Sequence, residues 1–164
     1  MQGVIVQVSI SLGGLPKRAI SGGLITPLGI QGDLHSHTAI HGGPRKAILI
    51  VASEAIDELV ARGYPLFHGA LGENLTTRGI TIRDLRIGDR LRAGGAMLEI
   101  TMPRNPCSGL DVYGESLKEE ISDERVRALD HSSPRWGMSG FYASVLAPGP
   151  VRPNDIISVV AKLA

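Results

Sequence analysis

Residues 80–107, ITIRDLRIGDRLRAGGAMLEITMPRNPC, hold the pattern that decides the fold. Residues 80–92 read as two short extended runs around a turn. Residues 96–101 alternate as a strand and run into Pro103. Short runs of this kind, cut by glycine turns, predict a β architecture. The same pattern continues outward in both directions. Residues 4–10 are β-branched and partly alternating and predict a first strand, ended by Gly13-Gly14-Leu15-Pro16. Residues 19–28 predict a short extended piece, and residues 29–45, GIQGDLHSHTAIHGGPR, a polar glycine-rich loop. Residues 47–51, AILIV, read as a buried strand. Ser53 is placed to cap a helix whose Ala55, Ile56, Leu59 and Val60 share one face, with Gly63 placed to end it. Residues 116–129 predict a second helix. Residues 140–147 and 156–160 predict strands, with PGPVRPND between them as a turn. Many short strands with two inserted helices predict a mainly β fold, a closed or nearly closed β-barrel with a few inserted α-helices, in a single domain over residues 1–164.

The composition agrees with one globular domain: 164 residues suffice for a full core without disulfide or metal staples. A net charge of +1 argues against a nucleic-acid binder driven by bulk electrostatics. The start, MQGVIVQVSISLGG, lacks the features of a signal peptide, and no apolar run approaches the ~20 residues that span a bilayer. These features predict a cytoplasmic protein without membrane or nucleic-acid partners. The single cysteine has no internal partner, so in a reducing compartment its thiol stays available for chemistry.

Three polar segments stand out. In His41-Gly42-Gly43-Pro44-Arg45-Lys46 the paired glycines let backbone N–H groups approach a ligand, and Lys46 can serve as a phosphate-binding charge. On the segment alone, a tight turn with solvated basic residues is the favoured reading, since GG pairs are common. In residues 69–77, GALGENLTT, Glu73 and Asn74 can orient a ligand or hold a turn. In Pro103-Arg104-Asn105-Pro106-Cys107 the prolines stiffen the loop, and Arg104 is placed to favour the Cys107 thiolate, the form that attacks or binds metal. Cys107 as a small buried hydrophobe is the alternative. The spacing of His35, His37 and His41 invites a zinc reading, but no cysteine lies nearby to complete a four-ligand set. No G-x-S-x-G elbow, GxGxxG or P-loop occurs.

Taken in order, Gly29 to Asp33 (GxxGD), His41 to Ala47 (HGGPxxA), Gly72 to Thr76 (GENLT), Gly88-Asp89 and Pro103 to Cys107 (PRxPC) resemble the molybdenum cofactor sulfurase C-terminal domain, called MOSC, of the stand-alone bacterial type. The resemblance runs from about residue 9 to 160. It implies a β-barrel and a pocket for the molybdenum cofactor, a metal held by the dithiolene of a phosphorylated pterin. It implies that Cys107 ligates molybdenum and is the catalytic residue. It places His41, Gly42, Gly43, Lys46, Glu73, Asn74 and Arg104 around the cofactor. Pyridoxal phosphate, used by the partner domain of eukaryotic sulfurases, is not expected in this chain.

The resemblance implies a molybdenum-dependent oxidoreductase acting on N-hydroxylated compounds, a small-molecule substrate, and electrons from a separate donor protein. Two alternatives stay open. One is a sulfur carrier, in which Cys107 holds a persulfide supplied by a sulfur-donor protein for metal-sulfur cluster or cofactor assembly. The other is a non-catalytic cofactor delivery module. The family pattern departs at Asn154-Asp155, where members often have GD. Substrate, donor and oligomeric state do not follow from the sequence.

Overall fold

The computed structural model describes residues 1–34 and 42–163. The zinc reading of His35, His37 and His41, and the cofactor role expected of His41, lie outside these residues. Eleven strands are present: β1 (Gln2–Ile10), β2 (Arg18–Ile20), β3 (Gly23–Thr26), β4 (Gly29–Ile30), β5 (Ile48–Ala52), β6 (Leu75–Arg78), β7 (Arg90–Ala93), β8 (Ala96–Pro103), β9 (Phe141–Ala147), β10 (Gly149–Val151) and β11 (Ile156–Ala161). The helices are α1 (Ser53–Ala61), α2 (Leu117–Ile121) and α3 (Glu124–Arg127), with single 3-10 turns at Pro44–Lys46, Ile82–Asp84 and Ser108–Tyr113.

Seven strands close a barrel in the order β1-β11-β7-β8-β9-β5-β6, with β6 returning to β1 and β2 added beside β1. Closure removes free sheet edges and encloses the apolar face of every strand. The mainly β barrel expected from the pattern of short strands is therefore the fold. Strands β10, β3 and β4 form a separate three-stranded sheet.

Every pairing between barrel strands is antiparallel except β5–β6. A parallel pair needs a crossover, and α1 with residues 62–74 supplies it. The crossover explains β5: all five of its side chains are buried, because the barrel covers one face and α1 packs against the strand. Buried Ala55, Ile56 and Leu59 make the inner side of α1. The largest fully buried side chains, among them Phe141, Ile50, Leu91 and Leu98, belong to one apolar cluster. Each contributes about 1.5–3 kcal/mol by leaving water.

Local differences from the sequence reading have identifiable causes. Ser53 is the first helical residue rather than the cap, and its hydroxyl instead accepts from Arg78 Nε at 3.0 Å. The helix expected over 116–129 is two short ones. Ser122 is extended, and the Asp123 carboxylate accepts from Val126 N at 2.8 Å, capping a new start. Residues 82–84 turn as 3-10 instead of extending, and the turn expected at 148–155 contains β10. Among the described residues no helix is long and apolar enough to cross a membrane.

Candidate functional site

The end of β8 sets the site. Its register against β9 shifts between Ile100 and Met102, so the strand carries an extra residue there. Such a bulge re-aims the residues that follow. The shift frees the Thr101 hydroxyl to donate to the Arg45 carbonyl at 2.5 Å, which ties β8 to the glycine-rich segment. Beyond it, Arg104 N donates to the Gly140 carbonyl at 2.9 Å, and the chain leaves the barrel as Asn105-Pro106-Cys107. Cys107 is half-buried and extended, and its carbonyl accepts from Leu110 N at 3.1 Å to start the 3-10 turn Ser108–Tyr113.

Cys107 lines a cavity of about 590 Å³ together with Gly42, Lys46, Asn74, Arg104 and Tyr142. Five of the expected site residues, from three separate segments, thus meet at one cavity. Gly43 and Glu73 do not line it. Gly42 and Gly43 both have φ of 84°, a conformation that side chains resist. Among the described residues a Cβ at Gly43 would meet nothing within 4 Å, so this glycine serves the backbone path rather than packing against them.

Arg104 is only 3% exposed. Its Nη2 donates to the Leu71 carbonyl at 3.0 Å, but among the described residues Nε and Nη1 have no partner. Burial lowers its pKa from the ordinary arginine value, and the facing Tyr142, Cys107 and Glu73 partly offset that push. A guanidinium nevertheless stays charged. Burial in turn raises the Tyr142 phenol, with Arg104 opposing the rise. Lys46 Nζ lies 5.5 Å from the centre of the Tyr142 ring, in cation–π range.

Glu73 is fully buried behind the cavity wall. Its carboxylate accepts from Gly69 N (2.7 Å), Leu71 N (3.1 Å) and the Thr76 hydroxyl (3.1 Å). Those bonds shape the turn whose Leu71 carbonyl receives Arg104. Burial raises the Glu73 pKa above its ordinary 4.5 despite these donors. Asn74 is also consumed by the fold: its Oδ1 accepts from Leu49 N at 3.1 Å, and its Nδ2 donates to the Ser9 carbonyl at 3.2 Å and Asp33 Oδ2 at 2.8 Å.

Several wall residues escaped the sequence reading. Lys17 lines the cavity and pairs with Asp33, both side chains being buried. Asp33 also accepts from Ser11 N at 2.9 Å, so the GxxGD aspartate clamps Lys17, Asn74 and the end of β1 together. Tyr142, Tyr113 and Phe67 were missed as well. Three of the chain's six aromatic side chains (one Trp, three Tyr, two Phe) line this one cavity, and their scarcity was the usable signal. The second aspartate of a GD pair, Asp89, is a fold residue. It accepts from Arg86 N at 2.9 Å and Leu163 N at 3.1 Å.

The donor set suits a soft metal centre that brings ligands of its own. Cys107 offers one thiol, and among the described residues no cluster of three or more His, Cys, Asp or Glu side chains could hold a metal ion. Among the described residues Lys46 and Arg104 line the cavity with no lining carboxylate, Lys17 being neutralised by Asp33, which favours an anionic ligand. Arg104 meets this requirement from within the protein, as a buried cation whose Nε and Nη1 lack acceptors among the described residues.

Comparison with known proteins agrees with the fold. A sequence profile of the MOSC domain matches residues 37–158. Protein YiiM of Escherichia coli is 32% identical over 146 residues, 86% of this chain and 60% of that one. A Gibberella moniliformis protein named a reductase is 29% identical over 142 residues, 82% of this chain and 23% of that one. The crystal structure of YiiM from Geobacillus stearothermophilus superposes with a TM-score of 0.69 at 27% identity, covering 97% of this chain and 75% of that one. The chain therefore spans less than two thirds of the length of both curated relatives.

Proposed function

The chain belongs to the MOSC domain family, and from that premise we propose that residues 1–164 act as one domain that binds the molybdenum cofactor in the Cys107 cavity and reduces N-hydroxylated compounds. The observation that carries this reading is Arg104: a buried cation facing Tyr142 in the wall of the cavity that holds the only cysteine, with no acceptor in hydrogen-bond geometry on Nε or Nη1 among the described residues. A buried charge left so is costly unless something anionic or electron-rich completes it. The cofactor fits the donor set through its phosphate, its sulfur and its metal.

In this reading Cys107 supplies a soft thiolate ligand to the metal. Lys46 and the backbone of Gly42 receive the anionic end, and Gly43 sets the path that lets the backbone approach. Arg104 holds its charge beside the thiol. Glu73 and Asn74 act indirectly: Glu73 builds the turn that receives Arg104, and Asn74 locks Asp33 and the Leu49 strand in place. When bound, the cofactor supplies the two-electron chemistry, and the protein supplies binding and orientation. The relative named a reductase supports the redox direction. Electrons would come from a separate donor protein, and one free thiol suits a reducing, cytoplasmic setting.

The test is metal and pterin content. Purified from a host that makes the cofactor, the protein is expected to hold about one molybdenum and one pterin per chain. A folded sample with neither would overturn the reading. A mass gain of one sulfur at Cys107, removed by reductant, would instead establish the sulfur carrier.

A further inference from the structure

On the reductase reading above, we propose that the mouth of the Cys107 cavity is an apolar collar that selects N-hydroxylated substrates with an apolar or aromatic body. Leu34, Phe67 and Val112 are 54%, 47% and 76% exposed, and all three line this cavity. They come from unrelated places: the residue after the GxxGD aspartate, the β5–β6 crossover, and the 3-10 turn after Cys107. Single exposed apolar residues are ordinary on any protein. Three from distant segments converging on one concavity form a patch, and such patches mark binding surfaces.

Leu15 adds to the same wall, and Tyr113 holds Phe67 in an edge-to-face pair with ring centroids 6.2 Å apart and planes at 84°. The pair fixes the Phe67 ring before any ligand arrives, so little ordering remains to oppose binding. The residues line a concavity of about 590 Å³, a small-molecule dimension, rather than a flat face suited to a protein partner.

The test uses hydroxamic acids with side chains from methyl to pentyl, and the phenyl member, with cofactor-loaded protein and viologen radical cation as reductant. Each turnover takes two electrons from two viologens and two protons from solvent. The N–O bond breaks, water leaves, and the hydroxamic acid becomes the amide. We expect kcat/KM to rise about fourfold per added methylene, carried mainly by KM. Val112→Ser and Phe67→Ala should flatten the series, and Val112→Leu should restore it.

In parallel, the matching amides are titrated into the protein as purified, and their Kd should fall along the series in the same way. If no member is reduced yet amide affinity still climbs, the reductase reading fails and the collar stands. A flat series in both arms would overturn the collar, as would a rise that the two variants leave unchanged.

Discussion

Cys107→Ser separates chemistry from packing because the side chain is only half-buried. Exchanging sulfur for oxygen there should shift stability by less than about 1 kcal/mol, read from urea midpoints. Serine is a harder, far less acidic ligand, so turnover with viologen and a hydroxamic acid should be lost while part of the pterin remains. Lys46→Ala tests the anionic end. A charge-assisted hydrogen bond is worth about 1.5–3 kcal/mol, so the affinity for pterin should drop about 10- to 100-fold, measured as retained pterin after dialysis. Glu73→Gln tests the buried carboxyl through pH. Because burial holds its pKa above 4.5, the folded state keeps a proton that the unfolded chain has lost just above that pH. Stability therefore falls as pH rises from 4.5 through the raised value. The variant lacks this titration, so its disadvantage against wild type in urea should be greater at pH 4.5 than at pH 8. Of the individual side chains, Cys107 and Arg104 were legible because prolines and a lone cysteine mark their loop. Tyr142 and Lys17 were not. Each carries no local signal, and only the barrel's closure brings them to the wall.

The turns between strands carry as much of the specification as the strands. Gly69, in the crossover, has φ of 97°, and a Cβ there would stand 2.1 Å from the Lys17 carbonyl. Gly69→Ala should destabilise the protein by about 2–4 kcal/mol. Gly43→Ala meets open space, so only the left-handed backbone is strained, and about 1 kcal/mol is expected. Thermal or urea unfolding of the two variants measures the difference. If Gly43 exists for ligand approach, its variant should also lose pterin out of proportion to its small stability change. Strands with clean alternation, such as β7, or with a continuous apolar run, such as β5, could be read directly from their residues. The region 116–129 misled because Ser122 and Asp123 suit a cap as well as a helix interior, and the choice was made by the side-chain bonds of Asp123. It accepts from Val126 N and from the Ser133 hydroxyl at 2.8 Å each. Residues 80–87 misled for a related reason. Their apolar positions pack inward from a 3-10 turn, with Ile82 and Leu85 buried and the Leu85 carbonyl receiving Trp136 Nε1 at 2.9 Å.

The barrel as a body depends on Phe141, which is fully buried at the start of β9 and stacks edge-on with Trp136 at 5.4 Å. Phe141→Ala should remove about 3–5 kcal/mol, a large share of the stability of a chain this size, with the loss read from the urea midpoint at unchanged m-value. Barrel closure itself was foreseeable as a class, from many short strands on tight turns. The strand order was not, since no local pattern reveals that β1 pairs with β11 across the whole chain. That pairing runs Gln2↔Ser158, Gly3↔Ile157 and Val4↔Ile156. It has a consequence for synthesis. β1 leaves the ribosome far ahead of β11, so at ordinary elongation rates it waits roughly 8–30 s for its partner. In the last part of that interval, once Tyr142 has been made, every described residue that lines the Cys107 cavity exists, yet β1 and β7 each still keep one raw edge. An emerging chain can thus hold the cavity's described lining in its sequence and still lack the ring that fixes it. If the cavity takes a cofactor as proposed, whatever hands it over should meet closed barrels, not open ones.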